Sequence, residues 1–277
     1  MKRIILIIAA AIAVYPLIWM SLTSLKTNEA INKSMWMAPT QPTLDSYRKV
    51  LGRPQGPLKT SRLSAARSLV NSLVIAGTAV LCVTMLAALA GYGFGRFNFR
   101  GKRWLWYLFI SGLFLPVHVT IIPLHRLEGM MGISRGPGSA LFLCMVYIAF
   151  NMSFSVYFLR SFFSAVPQEI VDAAVVDGCT DFAVFWRVLL PLSVPALTVV
   201  ALINAVMIWN EFIFALVLLQ SEKFYTLPLM AMYFADETGL DLALTSTVLT
   251  LATLPIIALF LAAQRHIITG VSQGALK

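Results

Sequence analysis

VPQEIVDAAVVDGCTDFAVFWRVLLPLSVP, residues Val166 to Pro195, is unlike the rest of this chain. Apolar runs flank it on both sides, yet it holds four of the twelve acidic residues: Glu169, Asp172, Asp177 and Asp181. Pro167 can open a helix, because a first turn needs no amide donor and φ is already set. Glu169 then lies near the positive end of the helix dipole. Gly178 is a natural helix stop. Thr180 is placed to cap a second helix, expected over Asp181 to Leu190, with Pro191 ending it. On the first helix Glu169, Asp172, Ala173 and Val176 share one face, and Val171, Ala174, Val175 and Gly178 share another. Ala173 and Ala174 carry almost no side chain, so a partner's backbone can come close. A short helix with one acidic and one small apolar face is a docking element rather than a membrane span. Spacing alone also allows an ordinary loop helix packed on its own domain.

The composition places this stretch in a membrane protein. The 277 residues are 59% hydrophobic and 12% charged, with a mean hydropathy of +0.82. A soluble domain is nearer about half apolar and about a quarter charged, so this chain lacks the polar surface to cover a water-soluble globule and belongs in a bilayer. The net charge of +9 does not mark a nucleic-acid binder. Its cations are scattered between apolar runs, as basic flanks of membrane helices are. Three cysteines are present, Cys82 and Cys144 in apolar runs and Cys179 in the docking stretch. An odd count without paired spacing argues against a disulfide framework or a zinc site, and packing roles are expected.

About 20 apolar residues cross a bilayer as a helix. Six runs fit, near residues 4–22, 70–94, 104–124, 140–158, 194–219 and 242–263. The expected fold is therefore an all-α integral membrane protein with six transmembrane helices, one domain over residues 1–277, and a cytoplasmic loop, residues 164–193, between spans four and five. The first run follows Lys2 and Arg3, is too long for a signal peptide and ends near Trp19. The polar segment Ser24 to Arg67 is expected to lie against the membrane surface through Trp36, Met37 and Tyr47. It should hold a short helix starting near Thr43 and another over Ser61 to Leu69. Gly77, Ala79, Ala87, Ala88, Ala90 and Gly91 give span two small faces for close helix contact. Pro116 and Pro123 should kink or break span three. His118 and His125 do not fit helical metal-ligand spacing and are expected to make polar contacts. Arg126 to Ser139 reads as an outer loop.

Charge does not set the orientation by itself. Ten Lys or Arg fall inside and eleven outside under this topology, eight of the eleven in one long segment. Arg96, Arg100, Lys102 and Arg103 crowd one short loop, which marks a cytoplasmic side. A docking loop for a cytoplasmic partner puts both termini there as well.

An acid inside a span is a functional candidate by default, and Glu211 is the one clear case. With Trp209 and Asn210 it offers a carboxylate, an indole face and an amide, a set that suits a sugar. Asn151 is the strongly polar residue of span four. The alternative is that Glu211 pairs with a basic residue or caps a broken helix to shape the pore. Asn210 and Glu211 point about 100° apart on a regular helix, so both cannot face one pore directly. Metalloprotease, nucleophile-elbow and Walker-type signatures are missing. Gly91-Tyr92-Gly93-Phe94-Gly95 ends a span and lacks the Lys-Ser/Thr of a phosphate loop. Any energy from ATP must come from another chain.

Asp172-Ala173-Ala174, three residues, Gly178, nine residues, then Val188-Leu189-Leu190-Pro191 resembles the EAA loop of ABC importer permeases. Asp172 replaces that pattern's Glu and Val188 its Ile. Tyr15 to Met20 with Ser24-Leu25-Lys26, Asn71-Ser72-Leu73, the Gly91-Tyr92 to Lys102 turn, Trp209 to Phe212, Tyr225-Thr226-Leu227-Pro228 and the tail from Gln264 to Lys277 are similar to carbohydrate-type, maltose-permease-like members. The resemblance covers essentially the whole chain. It implies a bacterial inner-membrane heterodimer of permeases, two ATPase subunits that bind ATP and Mg, and an external solute-binding protein. This chain would hold no cofactor of its own. The resemblance also implies that Glu169, Asp172, Ala173, Ala174, Asp177 and Gly178 couple to the ATPases, with the tail from Gly274 to Lys277 touching them too. The family's substrates run from sugars to polyols and glycerol phosphates. A stand-alone secondary transporter or channel for a small polar solute would need several membrane-buried ionisable groups. A membrane-embedded enzyme would need the missing motifs.

Overall fold

A computed structural model describes residues 2–52, 64–232, 235–236 and 239–274. Apart from Ala235–Asp236 paired antiparallel with Gly239–Leu240, the described elements are helices. Four are long and apolar enough to cross a membrane: α1 (Lys2–Thr23), α4 (Ala65–Arg96), α7 (Pro137–Ala165) and α14 (Leu242–Gly274). Counting each of two bent helix pairs as one span makes six. Residues 61–63 of the helix expected over Ser61 to Leu69 lie outside the described residues, and from Ala65 that helix is continuous with span two. Glu237 and the tail beyond Gly274 also lie outside them.

Spans three and five are both interrupted, span three at Pro116 as the sequence implies. Span three is α5 (Lys102–Ser111), a tight turn at Gly112–Phe114, and α6 (Val117–Met130), with a bend of 100°. Pro116 causes the break: it cannot donate to a helical ladder and it holds Leu115 in extended geometry. Pro123 is accommodated inside α6. Because α6 continues to Met130, the outer loop shrinks to residues 131–136. Gly132, at φ +69°, closes α6: its amide reaches Gly129 O at 3.0 Å and that of Ile133 reaches Glu128 O at 3.4 Å. The other bent pair is Asp181–Leu192 with α11 (Val194–Trp209), and the chain breaks once more after Trp209 before α12 (Ile213–Leu218).

The chain forms two compact units. One comprises Met1–Leu73 and Leu219–Ile257. In it α1 is followed by α2 (Asn28–Lys33) and α3 (Asp45–Leu51), so the polar segment after span one folds back. Buried Lys26 donates to Ser34 O at 3.1 Å and Met35 O at 3.2 Å, while Trp19 Nε1 also donates to Met35 O at 3.2 Å. Ser24 Oγ meets the Tyr47 hydroxyl at 2.8 Å. Two stretches far apart in sequence join here. Asn71 Nδ2 donates to Lys223 O at 2.9 Å and Tyr225 O at 3.0 Å, and Ser72 Oγ accepts from Leu227 N at 2.8 Å. Leu227 opens α13 (Leu227–Met232), whose first amides would otherwise be unpaired.

The other unit comprises Val74–Leu218 and Ala258–Lys277. Its core gathers Ala87, Ala88, Leu159, Phe163, Val184 and Phe185. The small residues of α4 do what their spacing implies. Gly91 lies so close to α7 that an added Cβ would sit 2.9 Å from the Arg160 backbone nitrogen, and one at Gly95 would sit 3.3 Å from Phe163 Cβ. Small residues four apart let two helix backbones approach.

Gly91→Leu should force α4 off α7 and lower the melting temperature of the purified chain, at a cost of about 1–3 kcal/mol. Gly93→Ala, where a Cβ meets nothing within 4 Å, should be neutral or slightly stabilising in the same melt.

Candidate functional site

The docking stretch folds as a helix, a stop and a distorted second helix. α8 (Gln168–Val176) begins after Pro167 with Glu169 in its first turn. It ends on Gly178, φ +84°, whose amide reaches Val175 O at 2.9 Å while Cys179 N reaches Ala174 O at 3.0 Å. That pair of bonds is a Schellman closure, and the left-handed residue it needs favours glycine. Thr180 Oγ1 accepts from Ala183 N at 3.3 Å and caps α9 (Asp181–Val184). The helix expected over Asp181 to Leu190 is not regular. After α9 the amide of Leu190 reaches five residues back to Phe185 O, before the short α10 (Leu190–Leu192). Pro191 has no amide for the ladder, and the wider turn absorbs the defect. Ser193, fully buried, then turns the chain, donating from Oγ to Leu189 O at 2.6 Å. α11 leaves at 74° to the preceding helix.

α4 holds this stretch in place. Arg96 donates from Nη2 to Val166 O at 2.6 Å and from Nη1 to Gln168 Oε1 at 2.9 Å. One turn earlier, the Tyr92 hydroxyl donates to Asp181 O at 3.1 Å. Its ring packs on Phe185 at 5.1 Å and on Phe163 at 6.1 Å.

The residues expected to dock do not all face outward. Glu169, Asp172, Ala173, Val176 and Asp177 are exposed, with Val176 at 86%. Asp172 accepts from Gln168 Nε2 at 3.0 Å. Ala174 is buried in the chain's own core and Val171 packs against that core. The outward face is therefore the acidic one, extended by Phe182, 69% exposed, and Trp186, 42% exposed. Gly178 acts through its backbone conformation, since a Cβ there would meet nothing within 4 Å.

The second constellation sits at the break in span five. Glu211 accepts from Phe214 N at 2.8 Å and Ala215 N at 3.3 Å, so its carboxylate caps α12. The Tyr147 hydroxyl donates to the same carboxylate at 2.8 Å. Asn210, exposed, donates to Val206 O at 2.8 Å; Trp209 is buried. Asn151, half-buried, donates to Tyr147 O at 2.8 Å. Its carbonyl accepts from Ser155 Oγ at 2.8 Å, and Ser155 Oγ accepts from buried Asn204 at 2.8 Å. The capping alternative for Glu211 is thus the observed geometry. Tyr147 joins it from α7, which spacing could not show.

Sequence reasoning missed Glu128. The loop expected over Arg126 to Ser139 includes it, but α6 carries it and it is fully buried, with neither carboxylate oxygen hydrogen-bonded and His125 Nδ1 at 3.8 Å. The i, i+3 spacing of His125 and Glu128 was the available signal.

These features define an all-helical integral membrane protein with broken spans and an exposed acidic helix. The chain belongs to the binding-protein-dependent transport system inner membrane components, whose family model matches residues 67–273. It is 34% identical to a putative ABC transporter permease protein, ORF2, of Caldicellulosiruptor sp. (strain Rt8B.4), over 99% of this chain and 95% of that one. It is 29% identical to the melibiose/raffinose/stachyose import permease protein MelC of Bacillus subtilis (strain 168), over 99% and 96%. Among solved structures, a bacterial ABC transporter involved in the import of the acidic polysaccharide alginate shares the fold. The TM-score is 0.78 at 20% identity, covering 96% of this chain and 95% of that one.

Gly178→Val should strain the left-handed closure by about 1–2 kcal/mol and speed proteolysis between α8 and α9, whereas Gly178→Asn should cleave at nearly the wild-type rate. Glu211→Ala leaves two amides and the Tyr147 hydroxyl without their acceptor, each costing about 1–3 kcal/mol if buried. Its melting temperature should fall clearly, and Glu211→Gln, which keeps one acceptor oxygen, should fall less.

Proposed function

We propose that this chain is a membrane-spanning permease subunit of an ATP-driven importer for a sugar or related polyol. It forms the path with a second permease and is coupled through α8 to cytoplasmic ATPase subunits, which bind ATP and Mg. An external solute-binding protein delivers the substrate, as the family's description implies. The saccharide import named for the Bacillus subtilis relative supports the substrate class. The chain sits in the bacterial inner membrane with both termini cytoplasmic.

One observation carries the coupling. The acidic face of α8 is exposed, while Arg96 fastens its start to α4, Ala174 seats it on the core, and the Gly178 closure fixes where it stops. A lever needs such a combination: a face left for a partner and a base that cannot slip. Glu169, Asp172, Ala173 and Asp177 meet the ATPase, while Ala174 and Gly178 fix the lever's seat and stop. Trp209, Asn210, Glu211 and Asn151 belong to the substrate path, with Glu211 holding the break open rather than meeting the sugar itself.

The double variant Glu169→Lys with Asp172→Lys should insert normally, since both side chains are exposed. It should fail to co-purify with the ATPase subunit and should lose uptake. Undiminished co-purification would overturn the docking role.

A further inference from the structure

A basic cleft shares no lining residue with α8 or with the span-five break. It has a volume of about 650 Å³ and is lined by Asn98, Lys102, Arg103, Trp106, Tyr107 and Arg160 among others. Cavities of about 300–1,000 Å³ hold small-molecule ligands. Arg160 comes from α7 and stacks its guanidinium 3.8 Å above the Trp106 ring. Arg103 donates from Nε to the Tyr107 hydroxyl at 3.2 Å and lies 5.6 Å from that ring. Lys102 Nζ is steadied by Phe97 O at 2.7 Å and Asn98 Oδ1 at 3.3 Å. Among the described residues no carboxylate lines the cleft or pairs with its three cations. Three positive groups are thus gathered and oriented without an anion among the described residues.

The cleft's setting names the occupant. It opens where α5 begins, and the next residues along that helix are exposed and apolar: Trp104 is 78% exposed and Leu108 65%. Trp and Tyr beside a basic cluster at the start of an apolar helix mark the interface between headgroups and hydrocarbon. Basic pockets between membrane helices on the cytoplasmic side take anionic lipid headgroups.

We propose that this cleft binds the phosphate headgroup of an anionic phospholipid, with Arg103 and Arg160 gripping the phosphate and Trp104 and Leu108 lying along the acyl chains. A guanidinium suits phosphate because its planar fork donates two parallel hydrogen bonds. A lipid seated here would brace α5 against α7 beside the root of α8. The inference shares the membrane placement with the transport reading but does not need the ATPase.

The test is native mass spectrometry of the full-length chain, delipidated in detergent and titrated separately with phosphatidylglycerol, phosphatidylethanolamine and inorganic phosphate. Wild type should retain phosphatidylglycerol in preference to phosphatidylethanolamine, and inorganic phosphate should not displace it. Arg103→Gln with Arg160→Gln should weaken phosphatidylglycerol retention by about a factor of five for each charge removed. Arg103→Lys with Arg160→Lys should recover part of it, which separates lost binding from lost folding. Arg100→Gln, in the same loop but outside the cleft, should bind as wild type. Equal retention in the double Gln variant, or an equal loss in Arg100→Gln, overturns the proposal. Displacement by inorganic phosphate would make the site one for free anion and overturn it. So would loss of ATPase co-purification in the double Gln variant with lipid retention unchanged, which would assign the cleft to the partner protein.

Discussion

The docking stretch depends on one side chain, Arg96. It is the last residue of α4, and its guanidinium bridges the gap at Val166 and Pro167, where no helix can supply hydrogen bonds. Such a fork grips geometrically as well as electrostatically, because two N–H groups of one plane must both find acceptors. Tyr92 lies four residues earlier, on the same face of α4, and holds the start of α9. A single helix end thus positions the beginning of both docking helices. These bonds and the core around Phe163 and Phe185 tie α8 and α9 to α4.

The same core explains why α8 presents charge outward. Ala174 faces inward against a cluster that includes Val166, Phe163 and Phe185. Its side chain is only a methyl group, which lets α8 lie close to the body of its unit. Glu169, Asp172 and Ala173 then project on the opposite side by helical geometry alone. Small residues also set the spacing between α4 and α7 at Gly91 and Gly95. In lipid there is no hydrophobic drive between helices, so close packing of bare backbone takes its place.

Breaks in the other spans are made safe by polar groups close at hand. In a bilayer an unpaired amide costs several kcal/mol, about the strength of a hydrogen bond that water cannot replace. Glu211 meets that demand at the start of α12, and Tyr147 supplies a proton donor to the same carboxylate. Beside Pro191 the Ser193 hydroxyl and amide both donate to Leu189 O. The chain can bend at these places without exposing backbone to lipid, which suits helices that move as bodies. The alternative of a transporter working alone gains little support from Glu211, whose carboxylate is already engaged.

Local chemistry made much of this legible from the residues themselves. Gly178 had to be a stop because few other residues tolerate a left-handed closure, and Thr180 had to be a cap because its hydroxyl reaches the third amide. Long apolar runs had to be helices because lipid offers the backbone no other partner. The likeness of Asn71-Ser72 and Tyr225 to Leu227 to one family was visible, but only the fold shows that the two stretches bond to each other. Tertiary packing likewise decided that Ala174 looks inward and that Glu128 is buried. The physical reason is that periodicity tells which residues share a face, not which face finds a neighbour. In a chain this apolar, hydropathy cannot make that choice, because lipid and protein interior look alike to a leucine.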